Sequence, residues 1–115
     1  SIEEYAFSLS NIKEINIPSH VSIIGEYAFE FCHNLEHVNI TDDSELRSIE
    51  EYAFSSSNIK EINIPSHVSI IGKSAFNSCE NLEMIEIPEN SELHSIEFAI
   101  SKLMIPFIKR KLIIQ

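Results

Sequence analysis

Apolar and polar positions alternate in four short segments of this chain: Ile15-Asn-Ile17, Val38-Asn-Ile40, Ile62-Asn-Ile64 and Ile85-Glu-Ile87. Alternation of this kind marks a half-buried strand. Pro18, Pro65 and Pro88 follow three of the four. Proline donates no ladder hydrogen bond, so each ends its strand. A second apolar piece comes next: Val21-Ser-Ile-Ile24, Leu46-Arg-Ser-Ile49, Val68-Ser-Ile-Ile71 and Leu93-His-Ser-Ile96. Gly25 and Gly72 follow two of these pieces and predict tight bends. Glu-Tyr-Ala-Phe segments ending at Phe7, Phe29 and Phe54 predict a short helical or 3₁₀ turn opposite the strands. In them a small alanine lets backbones approach and phenylalanine fills the interior.

The pattern has a fixed period. Ser1 to Gly25 and Ser48 to Gly72 differ only at Leu9 versus Ser56. Phe7, Phe29, Phe54 and Phe76 step by 22, 25 and 22 residues, so two slightly different units alternate. Self-similarity at this period is the mark of a stacked solenoid, and the unit length falls in the leucine-rich-repeat range. The expected fold is an α/β-type, right-handed repeat solenoid. Parallel short strands stack about 4.8 Å apart, with turns, 3₁₀ or short helices opposite. Four coils are expected, with units at about 2–23, 24–48, 49–70 and 71–95, plus a degenerate fifth.

Composition narrows the function classes. An apolar fraction of 43% over 115 residues supports one packed domain. The net charge of -10 argues against nucleic acid, which requires cationic side chains against phosphate. Charge is uneven: the first 101 residues carry 4 - 18 = -14, and Lys102, Lys109, Arg110 and Lys111 give the remainder +4. No run reaches the roughly 18 apolar residues that cross a bilayer. The opening SIEEYAF lacks the charged and apolar regions of a signal peptide. It starts in phase with the repeat, as a fragment or a short relative of a longer array would.

Leu82-Glu-Met-Ile-Glu-Ile-Pro88 and Val68-Ser-Ile-Ile-Gly-Lys-Ser-Ala-Phe-Asn-Ser-Cys79-Glu-Asn-Leu82 together resemble the BspA-like leucine-rich repeat. The resemblance covers residues 1–97. It implies surface antigens or secreted proteins of bacteria and of protists such as trichomonads, linked to cell adhesion. Partners would be proteins of the host matrix or cell surface. The first and third units depart from the pattern, with no cysteine and one residue fewer between Phe and Asn. Residues 98–115 leave it. Two readings fit this stretch: a terminal strand at Ile108 to Ile114 whose lysines blunt the edge, or a decayed repeat acting as a cap.

The search for chemistry returns no catalytic residues, no metal site and no cofactor. Cys32 and Cys79 lie two coil steps apart, roughly 10 Å, beyond disulfide reach; both are expected as buried thiols. His20 and His67 are equally separated, and His33 and His37 flank a strand. Ser55-Ser-Ser57 aligns with Phe31-Cys-His33 as a turn segment, and no nucleophile elbow or phosphate loop appears. Glu3-Glu4 and Glu50-Glu51 belong to solvated turns.

The strand surface is the better candidate. Side chains between the apolar ones point outward. One outward column is Asn16, Asn39, Asn63 and Glu86; its neighbour is Glu14, His37, Glu61 and Met84. Together they predict a polar, acidic strip for a protein partner. The same residues also fit solvated scaffold positions, and an asparagine ladder can serve stacking alone. Asn39-Ile40-Thr41 matches the N-glycosylation pattern, and a glycan there would cover the strip. No polar cap precedes the first unit, so self-association through that end is expected. An intracellular interaction scaffold and a fragment without a separate role remain alternative functions.

Overall fold

A computed structural model of the chain describes residues 1–94 and 96, and the backbone of residues 108–111. Eight strands follow in order: β1 (Glu14–Ile17), β2 (Ile23–Ile24), β3 (His37–Ile40), β4 (Ser48–Ile49), β5 (Glu61–Asn63), β6 (Ile70–Ile71), β7 (Met84–Pro88) and β8 (Ile108–Lys111). Odd and even strands separate. A five-stranded sheet runs β1-β3-β5-β7-β8, and a three-stranded sheet runs β2-β4-β6. Every pairing is parallel. The chain therefore winds as a solenoid: a strand in the larger sheet, a corner, a strand in the smaller sheet, then a turn segment back.

Alternation places the apolar residues inside. Ile17 and Ile87 on the larger sheet, with Ile64 just past β5, meet Ile24 and Ile49 from the smaller one in a single core. Ala28, Ala53 and Ala75 are fully buried, and Phe29, Phe54 and Phe76 are at most 1% exposed. Each ring stacks on its counterpart: centroids lie 5.1 Å apart for Phe29–Phe54 and 5.7 Å for Phe54–Phe76, with planes within 3° of parallel. A second stack of Tyr5, Tyr27 and Tyr52 runs beside it, at 4.8 and 5.1 Å. Identical residues at identical positions give these ladders, and offset stacking adds about 0.5–1.5 kcal/mol per pair beyond burial.

The turn side differs from expectation, since no helix forms among the described residues. Each Glu-Tyr-Ala-Phe segment is instead a run of β-turns. The N–H groups of Ala28, Glu30 and Cys32 close turns onto Gly25, Tyr27 and Phe29, while those of Tyr27, Phe29 and Phe31 donate along the solenoid axis to Glu51, Ala53 and Ser55. A helix directs all its N–H groups along its own axis and could not supply this second set. The price is left-handed backbone at non-glycine residues: Tyr5, Tyr27 and Tyr52 have φ of 60, 58 and 58°. Such a conformation costs roughly 1–2 kcal/mol per residue, offset by the hydrogen bonds between coils.

The two glycines also have a different cause from the one expected. Neither has positive φ. A Cβ on Gly25 would sit 2.8 Å from the Glu4 nitrogen, and one on Gly72 only 2.5 Å from the Glu51 nitrogen. They are glycine because the backbone of the preceding coil presses against them.

Residues 98–115, expected as a degenerate repeat or cap, lie largely outside the described residues. Within them β8 pairs with β7, from Ile85 with Ile108 to Pro88 with Lys111. Among the described residues, no helix is long and apolar enough to cross a membrane.

Candidate binding face on the strand sheet

The register of the larger sheet assembles the outward columns. Glu14 pairs with His37, His37 with Glu61, and Glu61 with Met84, giving one continuous row. Asn16 pairs with Asn39, and Asn63 with Glu86, but Asn39 and Asn63 are not ladder partners. The second row is thus two halves. Glu14, Asn16, His37, Asn39, Glu61 and Asn63 are exposed, while Met84 and Glu86 are half-buried. Between them Val38, Ile62 and Ile85 point into the core.

The first two coils lock this face by side-chain bonds. Asn39 Nδ2 donates to Asn16 Oδ1 at 2.8 Å and to Glu14 Oε2 at 3.0 Å. This amide is also the acceptor position of the Asn39-Ile40-Thr41 motif, so a glycan there would displace one of those bonds. A separate amide pair, Asn81 to Asn58, spans the next coils before the strands begin. Cations collect at the same end: Lys60 pairs with Glu36 at 3.4 Å, and Lys13 precedes β1. On the strands themselves Glu14 and Glu61 are exposed and Glu86 is half-buried.

The sheet is not uniform. β1 and β3 pair over four residues and β5 and β7 over three, but β3 and β5 pair only at His37 and Glu61. Past that point two cavities open, of about 370 and 170 Å³. Sequence reasoning missed this feature, although a signal existed. The corner from Ile40 to Leu46 is two residues longer than those from Ile17 to Val21 and from Ile64 to Val68. Ser44 closes it by a turn onto Thr41, and the Ser44 hydroxyl accepts from the Leu46 N–H.

Other sequence candidates are dispersed. Cys32 and Cys79 are free thiols, buried as expected. Each donates to a carbonyl of the preceding coil, Phe7 and Phe54 respectively, at 3.1 Å. Burial pushes both thiols above the ordinary cysteine range. The alignment of Ser55–Ser57 with Phe31–His33 needs correcting by one position. Ser57, three residues after Phe54, matches Cys32, three after Phe29; it is buried and its hydroxyl lies 3.4 Å from Cys79 Sγ. His67 pairs with Glu92 at 2.8 Å. No group of three or more metal-ligating side chains occurs among the described residues.

Comparison with known proteins gives the geometry its context. A BspA type leucine rich repeat region, in six copies, matches residues 1–109. The structure is similar to that of the pneumococcal vaccine antigen PcpA, with 28% identity and a TM-score of 0.74 over 76% of this chain and 22% of the antigen. It is also similar to a leucine rich cell surface protein of Faecalibacterium prausnitzii, with 29% identity and a TM-score of 0.68 over 81% of this chain and 23% of that one. The T. pallidum leucine rich repeat protein, at 23% identity and a TM-score of 0.54 over 75% of this chain and 51% of the other, shares the fold. The chain spans less than a quarter of the first two proteins. No curated protein matches it. The repeat, the parallel-strand solenoid and the family match agree: this chain belongs to the BspA-type leucine-rich repeat family.

Proposed function

We propose that the chain is a non-enzymatic protein-binding module, part of an adhesin-like antigen at the cell surface or secreted, and that it meets its partner along the strand face. The observation that carries this reading is the continuous outward row Glu14, His37, Glu61 and Met84, flanked by Asn16, Asn39, Asn63 and Glu86. A solenoid offers an extended surface of this kind, and a strip of fixed polar groups selects among partners by charge and hydrogen bonding. The names of the similar pneumococcal and Faecalibacterium proteins, a vaccine antigen and a cell surface protein, favour an exterior location. A host matrix or cell-surface protein is the partner class this reading expects.

The test is a pulldown from host matrix and cell extracts, with the wild-type chain beside a variant carrying Glu14, His37, Glu61 and Met84 changed to Ser. A partner lost on those changes supports the strip. A partner retained moves the site to the turns or the chain end. A second reading, an intracellular interaction scaffold, is favoured by the two unpaired cysteines, because oxidising compartments promote disulfides. Surface labelling of intact cells separates the two: label on the protein supports the first, and none the second.

A further inference from the structure

We infer that the opening between β3 and β5 seats a basic side chain, an arginine or lysine carried on an extended segment of a partner protein. The inference rests on the strand-face reading and narrows it to one point of contact. The sheet is closely paired where a short corner precedes a long one, from β1 to β3 and from β5 to β7. It parts where the long Thr41–Leu46 corner precedes the short one at Pro65, leaving a single ladder pair, His37 with Glu61. The opening is therefore built into the alternation of the two unit types.

Its lining selects the guest. Ile40 and Asp42 form one wall of the larger cavity, Asn63 and Pro65 the other, with Glu86 and Pro88 beyond. The smaller cavity continues it between the two strands to His37 and Glu61. Among the described residues, no lysine, arginine or histidine lines the larger cavity. Asp42 has no ion-pair partner among the described residues, while Glu86 pairs across the ladder with Lys109 of β8. An anionic guest would be repelled by the Asp42 and Glu86 carboxylates, and a purely apolar one would strip water from them without return. Arginine or lysine satisfies both halves: its methylene stem lies on the proline and isoleucine surfaces while its head group meets the carboxylates. The Asn63 amide remains to hydrogen-bond the backbone of the incoming segment.

The probe is a short fluorescein-labelled peptide of alternating arginine and threonine, titrated by anisotropy. A peptide of the same length with glutamate for arginine is the comparison. Two variants address the opening: Asn63→Trp fills it, and Asp42→Asn with Glu86→Gln removes its charge while keeping its shape. Glu3→Gln with Glu50→Gln removes equal charge from the turn side. The wild-type chain should bind the basic peptide and not the acidic one. Each opening variant should weaken binding about tenfold, equivalent to about 1.4 kcal/mol, and the turn-side variant less than about twofold. If Asn63→Trp loses its far-UV spectrum, the charge variant carries the test alone. Equal binding by all variants, or no binding of the basic peptide, overturns the inference. The strand-face reading fails separately, when the extract partner survives the four serine changes.

Discussion

Phe54 lies between Phe29 and Phe76 with no exposed surface, whereas Phe7 stacks on Phe29 alone and is 37% exposed. The two occupy the same position of the repeat, so their difference measures stacking. Phe54→Ala should cost about 3–5 kcal/mol by the cavity it leaves, and Phe7→Ala less than about 2 kcal/mol. Urea denaturation of both variants reads this directly, and equal losses would mean that the ladder is not the source of stability. The buried thiols give a second residue-scale prediction. Burial raises Cys32 and Cys79 above their unfolded value. Their contribution is thus whole below the unfolded pKa. It is lost as pH rises through the folded one, because the unfolded chain gives up protons that the folded chain keeps. Melting temperature should fall as pH rises above about 8.5, the ordinary cysteine value. Cys79→Ser, which copies the natural Ser57, should flatten that fall; an unchanged slope would assign it to other groups, Tyr27 among them.

At the scale of elements, the strands and their facing were legible because period-two alternation follows directly from the pleat. Ile15 to Ile17 and Val38 to Ile40 needed no tertiary information. The turn segments were not legible. Glu-Tyr-Ala-Phe carries no glycine or asparagine to announce positive φ, and tyrosine adopts it only because the neighbouring coil receives its N–H. The glycines show the same dependence. Gly72 touches the Glu51 backbone, while Glu50 follows the longer corner and keeps its side chain. Gly72→Ala should therefore cost more than about 2 kcal/mol through forced separation of coils, against less than about 1 kcal/mol for Glu50→Ala. Thermal melts of the two variants compare them, and parity would exclude the close approach as the reason for glycine.

For the whole molecule, the outer face of the first coil stands apart. Ala6 and Phe7 are exposed and Ile12 and Ile15 half-buried, although Ala28, Phe29, Leu35 and Val38 at the same repeat positions are buried. The carbonyls of Glu4, Ala6 and Ser8 accept no backbone hydrogen bond among the described residues, while their counterparts Glu26, Ala28 and Glu30 accept from Tyr5, Phe7 and Leu9. Apolar surface beside aligned acceptors favours a further layer. The chain should show concentration-dependent association in sedimentation velocity, weakened by Phe7→Glu. A single monomeric boundary at high concentration would show that the face is stable in water.

By itself the sequence determined the solenoid, the inward and outward rows, the buried cysteines and the acidic character of the strand face. Each of these follows from period, alternation and charge, which act on every unit alike. Tertiary structure alone decided the β-turns in place of helices, the reason for Gly25 and Gly72, and the parting of β3 from β5 beside Asn39 and Asn63. These depend on how one coil meets the next. A contact between coils joins residues more than twenty positions apart, and its geometry is set by the corners of both. No local window of the chain contains that information.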